Sequence, residues 1–78
     1  MPHPLISRDP KIMVGKPVIA GTRIPVDLIL LKLGAGESME QVLEGYPHIT
    51  REQLLATLTY ASEIVRSEAL GLQADRVL

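Results

Sequence analysis

Residues 26 to 33, VDLILLKL, place six aliphatic side chains in eight positions. At 3.6 residues per turn these six point in nearly every direction, and only Asp27 and Lys32 offer a wet face. A chain of 78 residues buries only about 60% of the surface that its unfolded form exposes. One small domain covers a single stripe of such a helix. The remainder asks for a second apolar neighbour, and another copy of the chain is the simplest one. On this reading Leu28 and Leu31 belong to a homodimer interface.

The rest of the composition narrows what else can hold the fold together. Apolar residues make up 46% of the chain, yet Phe and Trp are absent and Tyr46 and Tyr60 are the only aromatics. Packing therefore relies on Leu, Ile and Val. The absence of cysteine removes disulfides and thiolate metal sites. His3 and His48 lie far apart in proline contexts, which is not ligand spacing, so neither a metal nor a cofactor is expected. No apolar run reaches the ~18 residues of a membrane span, and the opening MPHPLISRD has no hydrophobic signal core. A soluble, cytoplasmic protein with no membrane partner is the expectation.

Just before the apolar helix stands GKPVIAGTRIPV, residues 15 to 26. Its glycines beside Lys16 and Thr22 invite a phosphate-loop reading, but Lys16 follows the first glycine directly and Gly21 leads into Thr22-Arg23. That order places the lysine outside any cradle. The dinucleotide pattern G-x-G-x-x-G is absent too. The structural reading is that Gly15 and Gly21 supply turns with positive φ, Pro17 keeps Val18 and Ile19 extended, and Pro25 occupies the first helical position.

With Leu5 to Arg8, Ile12 to Val14 and Val18 to Ile19 as short β-prone pieces, residues 1–24 read as a ribbon arm. A ribbon of two or three short strands is marginal alone. Pairing with the ribbon of a second copy would cover its edges, which places Ile6, Val18 and Ile19 in the dimer interface as well.

Residues 25–68 read as three helices, and 69–78 as a flexible tail of the same single domain. The first helix runs from about Pro25 to Leu33. Ser38 with Gln41, and Thr50 with Gln53, are capping-box pairs that open the second and third. Gly45 and Pro47 end the second at about Glu44, and the third runs to about Glu68. Along it Leu54, Leu58, Ala61 and Val65 form a narrow apolar arc, with Glu52, Ala56, Tyr60 and Glu63 turned away.

The layout matches a helix-turn-helix, in which Val42 and Leu43 pack inward, Tyr46-Pro47-His48 turns the chain, and Ile49 plugs the corner before a recognition helix. The fold class expected is thus mainly α, a short N-terminal β-ribbon followed by a three-helix, homeodomain-like bundle. In a DNA complex Arg51 and Gln53 would read bases, with Thr57 on the same outward face, and Lys16 and Arg23 would contact either the phosphates or the second subunit. The charge is divided unevenly. Residues 1–32 hold five Lys/Arg against two acids, +3, and residues 33–78 hold three against seven, −4. An acidic helical half opposes phosphate binding, and each half suits a different partner or the opposite half of a second copy.

GKPVIAGTRIPVDLIL, the block G-E-S-x-x-x-V-L-x-x-Y-P-x-I-T-x-x-x-L and the pair Tyr60-Ala61 together resemble a small prokaryotic family, domain-of-unknown-function family 433, over about residues 5 to 66. The resemblance implies a homeodomain-like three-helix fold behind a short β segment, commonly dimeric, found among VapB-like antitoxins whose partners are PIN-like nucleases. It carries over Gly15, Lys16, Pro17, Gly21, Thr22, Arg23, Pro25, Tyr46 and Pro47 as architectural residues. Members often have a cation where this chain has Ala20.

The leading expectation is an antitoxin-like binding protein of a type II toxin-antitoxin pair that neutralises a PIN-like nuclease and regulates its own promoter. Arg66 or Arg76 would enter the carboxylate-lined site of the nuclease and compete there with metal or RNA phosphate. The alternative is a stand-alone dimeric regulator that binds promoter DNA. An enzyme is not expected, because Ser38 and Thr50 are used as caps and neither histidine has a nucleophile or orienting partner.

Overall fold

The computed structural model describes residues 3–72, with side chains as far as Glu68. Two short strands, β1 (Ile6–Ser7) and β2 (Val18–Ile19), pair antiparallel with Ile6 opposite Ile19 and Ser7 opposite Val18. Three helices follow: α1 (Val26–Gly34), α2 (Met39–Gly45) and α3 (Arg51–Leu72). The mainly α class with an N-terminal ribbon is what the sequence led us to expect.

The ribbon is narrower than the β-prone pieces suggested. Asp9 begins a turn in which its carboxylate accepts from the Lys11 amide at 2.9 Å and its carbonyl from the Ile12 amide at 2.8 Å. The chain then curls through a single 3-10 turn, Met13–Gly15, rather than a strand over 12–14. Both Met13 and Val14 take positive φ, 51° and 57°, so the backbone there has no extended edge to offer. Gly21 has φ +80°, as its place in the second turn requires. The Thr22 hydroxyl locks that turn by donating to the Ile19 carbonyl at 2.7 Å and accepting from the Ile24 amide at 3.0 Å.

Pro25 is not the first helical residue. It is extended, with ψ 143°, and bridges back to Val18 as the cap of α1, while the Val26 amide donates to the Pro17 carbonyl at 2.9 Å. Ribbon and helix are therefore tied by backbone as well as by packing. The C-terminus of α1 closes in a Schellman motif: Gly36, with φ +102°, donates to Leu33 and Glu37 donates to Lys32.

Both capping boxes form. Ser38 Oγ accepts from the Gln41 amide at 3.1 Å while Gln41 Oε1 accepts from the Ser38 amide at 2.7 Å. Thr50 and Gln53 repeat the exchange at 3.1 and 2.8 Å. The turn between α2 and α3 buries Ile49, and Val42 faces inward, as the helix-turn-helix pattern predicts. Where a tail was expected from residue 69, the backbone of α3 continues to Leu72; the rest of that tail, 73–78, lies outside the described residues.

Two apolar clusters share the interior. One joins Ile19, Ile29, Val42, Ile49 and Leu54, and so welds β2 to all three helices. The other joins Ile6, Val26, Ala56 and Tyr60, with Leu5 and Leu30 beside them. Two expectations change here. Ile6, Val18 and Ile19 are buried within their own chain, so they are core residues and not a surface for a second copy. The ribbon also serves as the additional neighbour that α1 demanded: Val26 and Ile29 are buried, Leu28, Leu30 and Leu33 are half-covered, and Leu31 alone stands mostly exposed, at 69%.

The inward face of α3 is likewise rotated from the expected arc. Leu54, Ala56, Thr57 and Tyr60 are buried, whereas Leu58 and Val65 are exposed. The helix carries two apolar stripes, and the ribbon, by packing Ile6 against Ala56 and Tyr60, selects the one that contains the tyrosine.

Candidate functional site

Among the described residues a groove of about 450 Å³ lies between the ribbon, α1 and the distal part of α3. Val26 and Leu30 form one wall, and Tyr60, Ala61, Ile64 and Val65 the other. Arg8, Lys16 and Asp27 stand at the rim. Folding places these groups together for separate local reasons. Arg8 leaves the end of β1 and donates from Nε to the Gly15 carbonyl at 3.2 Å. Lys16 follows the 3-10 turn and meets Asp27, in the first turn of α1, at 3.0 Å. Tyr60 is fixed from behind by the ring of His3, edge-on with centroids 6.5 Å apart.

Chemically the groove is a greasy trough with a mixed-charge lip. Among the described residues no three His, Asp or Glu side chains gather in metal-binding geometry. Nor is any helix among them long and apolar enough to cross a membrane.

The residues expected to touch DNA are not gathered on one face. Arg51 is exposed at the start of α3 and approaches Glu40 at 3.9 Å. Gln53 is occupied by its capping exchange with Thr50. Thr57 is fully buried and its hydroxyl donates to the Leu54 carbonyl at 2.7 Å; it cannot meet a base, because the ribbon-selected face of α3 turns it inward. Lys16 lines the groove, while Arg23 lines a separate depression beside Ser7 and Ile12. Of the two arginines expected to reach a protein partner, Arg66 is exposed on α3 and Arg76 lies outside the described residues. Leu28 is half-covered and Leu31 exposed on α1.

Arg8 and Tyr60 are the groove residues that sequence reasoning passed over. Tyr60 had a readable signal, the spacing Thr57, Tyr60, Ala61, Ile64 at i, i+3, i+4, i+7. Arg8 had none, since its place depends on the ribbon turning back on itself.

Fold and groove together define a small mainly helical module with a β-ribbon arm and an apolar surface groove. The chain belongs to the family described as protein of unknown function (DUF433), whose model matches residues 6–61. It is similar to uncharacterised protein y4eO of Sinorhizobium fredii (strain NBRC 101917 / NGR234), 35% identical over 57 residues, which is 73% of this chain and 26% of that protein. The chain thus spans about a quarter of the length of the curated relative it matches. No solved structure matches it.

Proposed function

We propose that this protein is a non-catalytic binding module of the antitoxin kind, working as a cytoplasmic homodimer that captures and neutralises a PIN-like nuclease. The observation that carries this reading is the surface itself: an apolar groove continuous with a stretch of α3, Ala61 to Glu68, in which no side chain is fully buried and which bears an exposed arginine. Arg66 stands on that end of α3, and a guanidinium carried out from the globule suits a pocket of clustered carboxylates, where it displaces metal or RNA phosphate. Arg76, outside the described residues, is a second arginine of the same chemistry. The acidic balance of the helical half suits a protein partner better than a polyanion.

The test is co-expression of the tagged chain with the product of the adjacent gene. Co-purification, together with loss of RNA cleavage by that product and recovery of cleavage on Arg66→Glu, is the expected outcome. Recovery of the chain by itself, or undiminished cleavage in its presence, defeats the reading.

A second role, regulation of its own promoter or of another operator, is favoured by one feature: Ile49 is buried at the turn between α2 and α3 and Arg51 is exposed just beyond it, as in a helix-turn-helix. A mobility shift on its upstream DNA at low salt, abolished by Arg51→Glu and steeply weakened by salt, is then expected. A wild-type chain giving no shift at low salt removes this role.

A further inference from the structure

Between Ala61 and Glu68, α3 is covered only in part by its own chain. From Ala61 to Glu68 no side chain is buried, although the backbone stays helical to Leu72. A helical stretch with so little packing is marginal in water, because short helices gain most of their stability from burying one face. The face that seeks packing is identifiable. At 3.6 residues per turn Ala61, Ile64, Val65 and Glu68 share one side, and Arg66 lies towards the other. Ile64 is 40% and Val65 64% exposed.

Those same residues wall the groove opposite Val26 and Leu30. We propose that the groove is filled by the α3 arm of a second copy, laid antiparallel against this one, so that each arm covers the other and occupies the other's groove. This deepens the homodimer of the proposed function and rests on that part of the reading; it does not depend on the nuclease.

Two observations select a second copy over a foreign helix. The surface that needs cover and the surface that would provide it are made from the same residues, so one two-fold contact satisfies both and closes the assembly at two chains. The charges also match. Arg8, Lys16 and Asp27 leave the rim at +1, and on the packing face of the described arm Glu68 brings −1. Glu68, on the seam beside Val65, is the counter-charge brought to the rim, where Lys16 is already held by Asp27 and Arg8 remains to receive it. Arg66, on the far side of the helix, stays open to another partner.

The proposal is tested by sedimentation equilibrium of the purified full chain over about 1–100 μM. Val65, Arg8 and Glu68 are all exposed in the single chain, and far-UV circular dichroism verifies that each variant keeps its fold, including Arg8→Glu, which loses the bond to the Gly15 carbonyl. The wild type is expected to dimerise, and Val65→Glu to weaken the dimer at least about tenfold, because the seam then buries a carboxylate. Arg8→Glu and Glu68→Arg should each weaken it, and the two together restore it. A wild-type monomer throughout that range, a Val65→Glu variant that dimerises as well as the wild type, or a double variant weaker than either single one overturns the proposal. Nuclease capture is read separately. A monomer that still captures the nuclease removes this interface and spares the binding function, whereas a dimer that captures none does the reverse.

Discussion

Val14 illustrates how one residue can oppose the fold that contains it. It is a β-branched residue at φ 57°, ψ 37°, and 95% of its surface faces solvent. The left-handed region costs an L-residue roughly 1–2 kcal/mol, and here no packing offsets it. Glycine relieves the strain while adding some disorder to the unfolded chain. Val14→Gly should therefore stabilise the protein by about 1 kcal/mol, seen as a higher midpoint in urea with an unchanged slope; a lower midpoint would show that the exposed side chain has a packing role after all. Thr57 is the converse. Its type suggested a surface group, yet its hydroxyl is satisfied by the Leu54 carbonyl within the helix, which removes the penalty of burying it. Nothing in the local sequence distinguishes that use from exposure to a base.

Elements were legible where their signals are local. The boxes Ser38/Gln41 and Thr50/Gln53 mark the starts of α2 and α3, and Gly45 with Pro47 marks the break between them, because caps and breakers act within a turn of where they stand. Each cap should be worth about 1 kcal/mol, so Ser38→Ala and Thr50→Ala are expected to lower stability by that amount singly and by nearly the sum together, since they cap different helices. Thermal unfolding of the two single variants and the double one measures this, and a double variant no worse than either single would contradict it. The Met13–Gly15 turn was illegible for the opposite reason. Its β-prone residues are overruled by the preceding Asp9-Pro10 turn and the want of a neighbouring strand.

For the molecule as a whole, the decisive contact is Ile29, fully buried among Ile19, Val42, Ile49 and Leu54. It connects ribbon and helices into one unit, so they should unfold together. Native stability near 0.05–0.15 kcal/mol per residue gives this chain about 4–12 kcal/mol, and emptying a buried isoleucine site costs roughly 2–5. Ile29→Ala is expected to remove a large share of the stability and lower the Tm steeply. Circular dichroism and tyrosine fluorescence should report coincident transitions in the wild type; separated ones would mean that ribbon and bundle melt independently. The exposed pairs Lys16–Asp27 and Arg51–Glu40 contribute little to this balance, since water and salt screen them.

The sequence by itself determined the helix count, the two capping boxes, the turn at Gly21, and the membership of Leu54, Val42 and Ile49 in the core. These depend on neighbours within a few residues or on strong apolar character. Only the tertiary structure decided which stripe of α3 turns inward, that Ile6, Val18 and Ile19 serve their own core, and that Arg8 and Lys16 frame a groove with Val65. α3 carries two apolar stripes of similar strength, and the choice between them belongs to the ribbon, which reaches Ala56 and Tyr60 across some fifty residues of chain through a contact that no local pattern encodes.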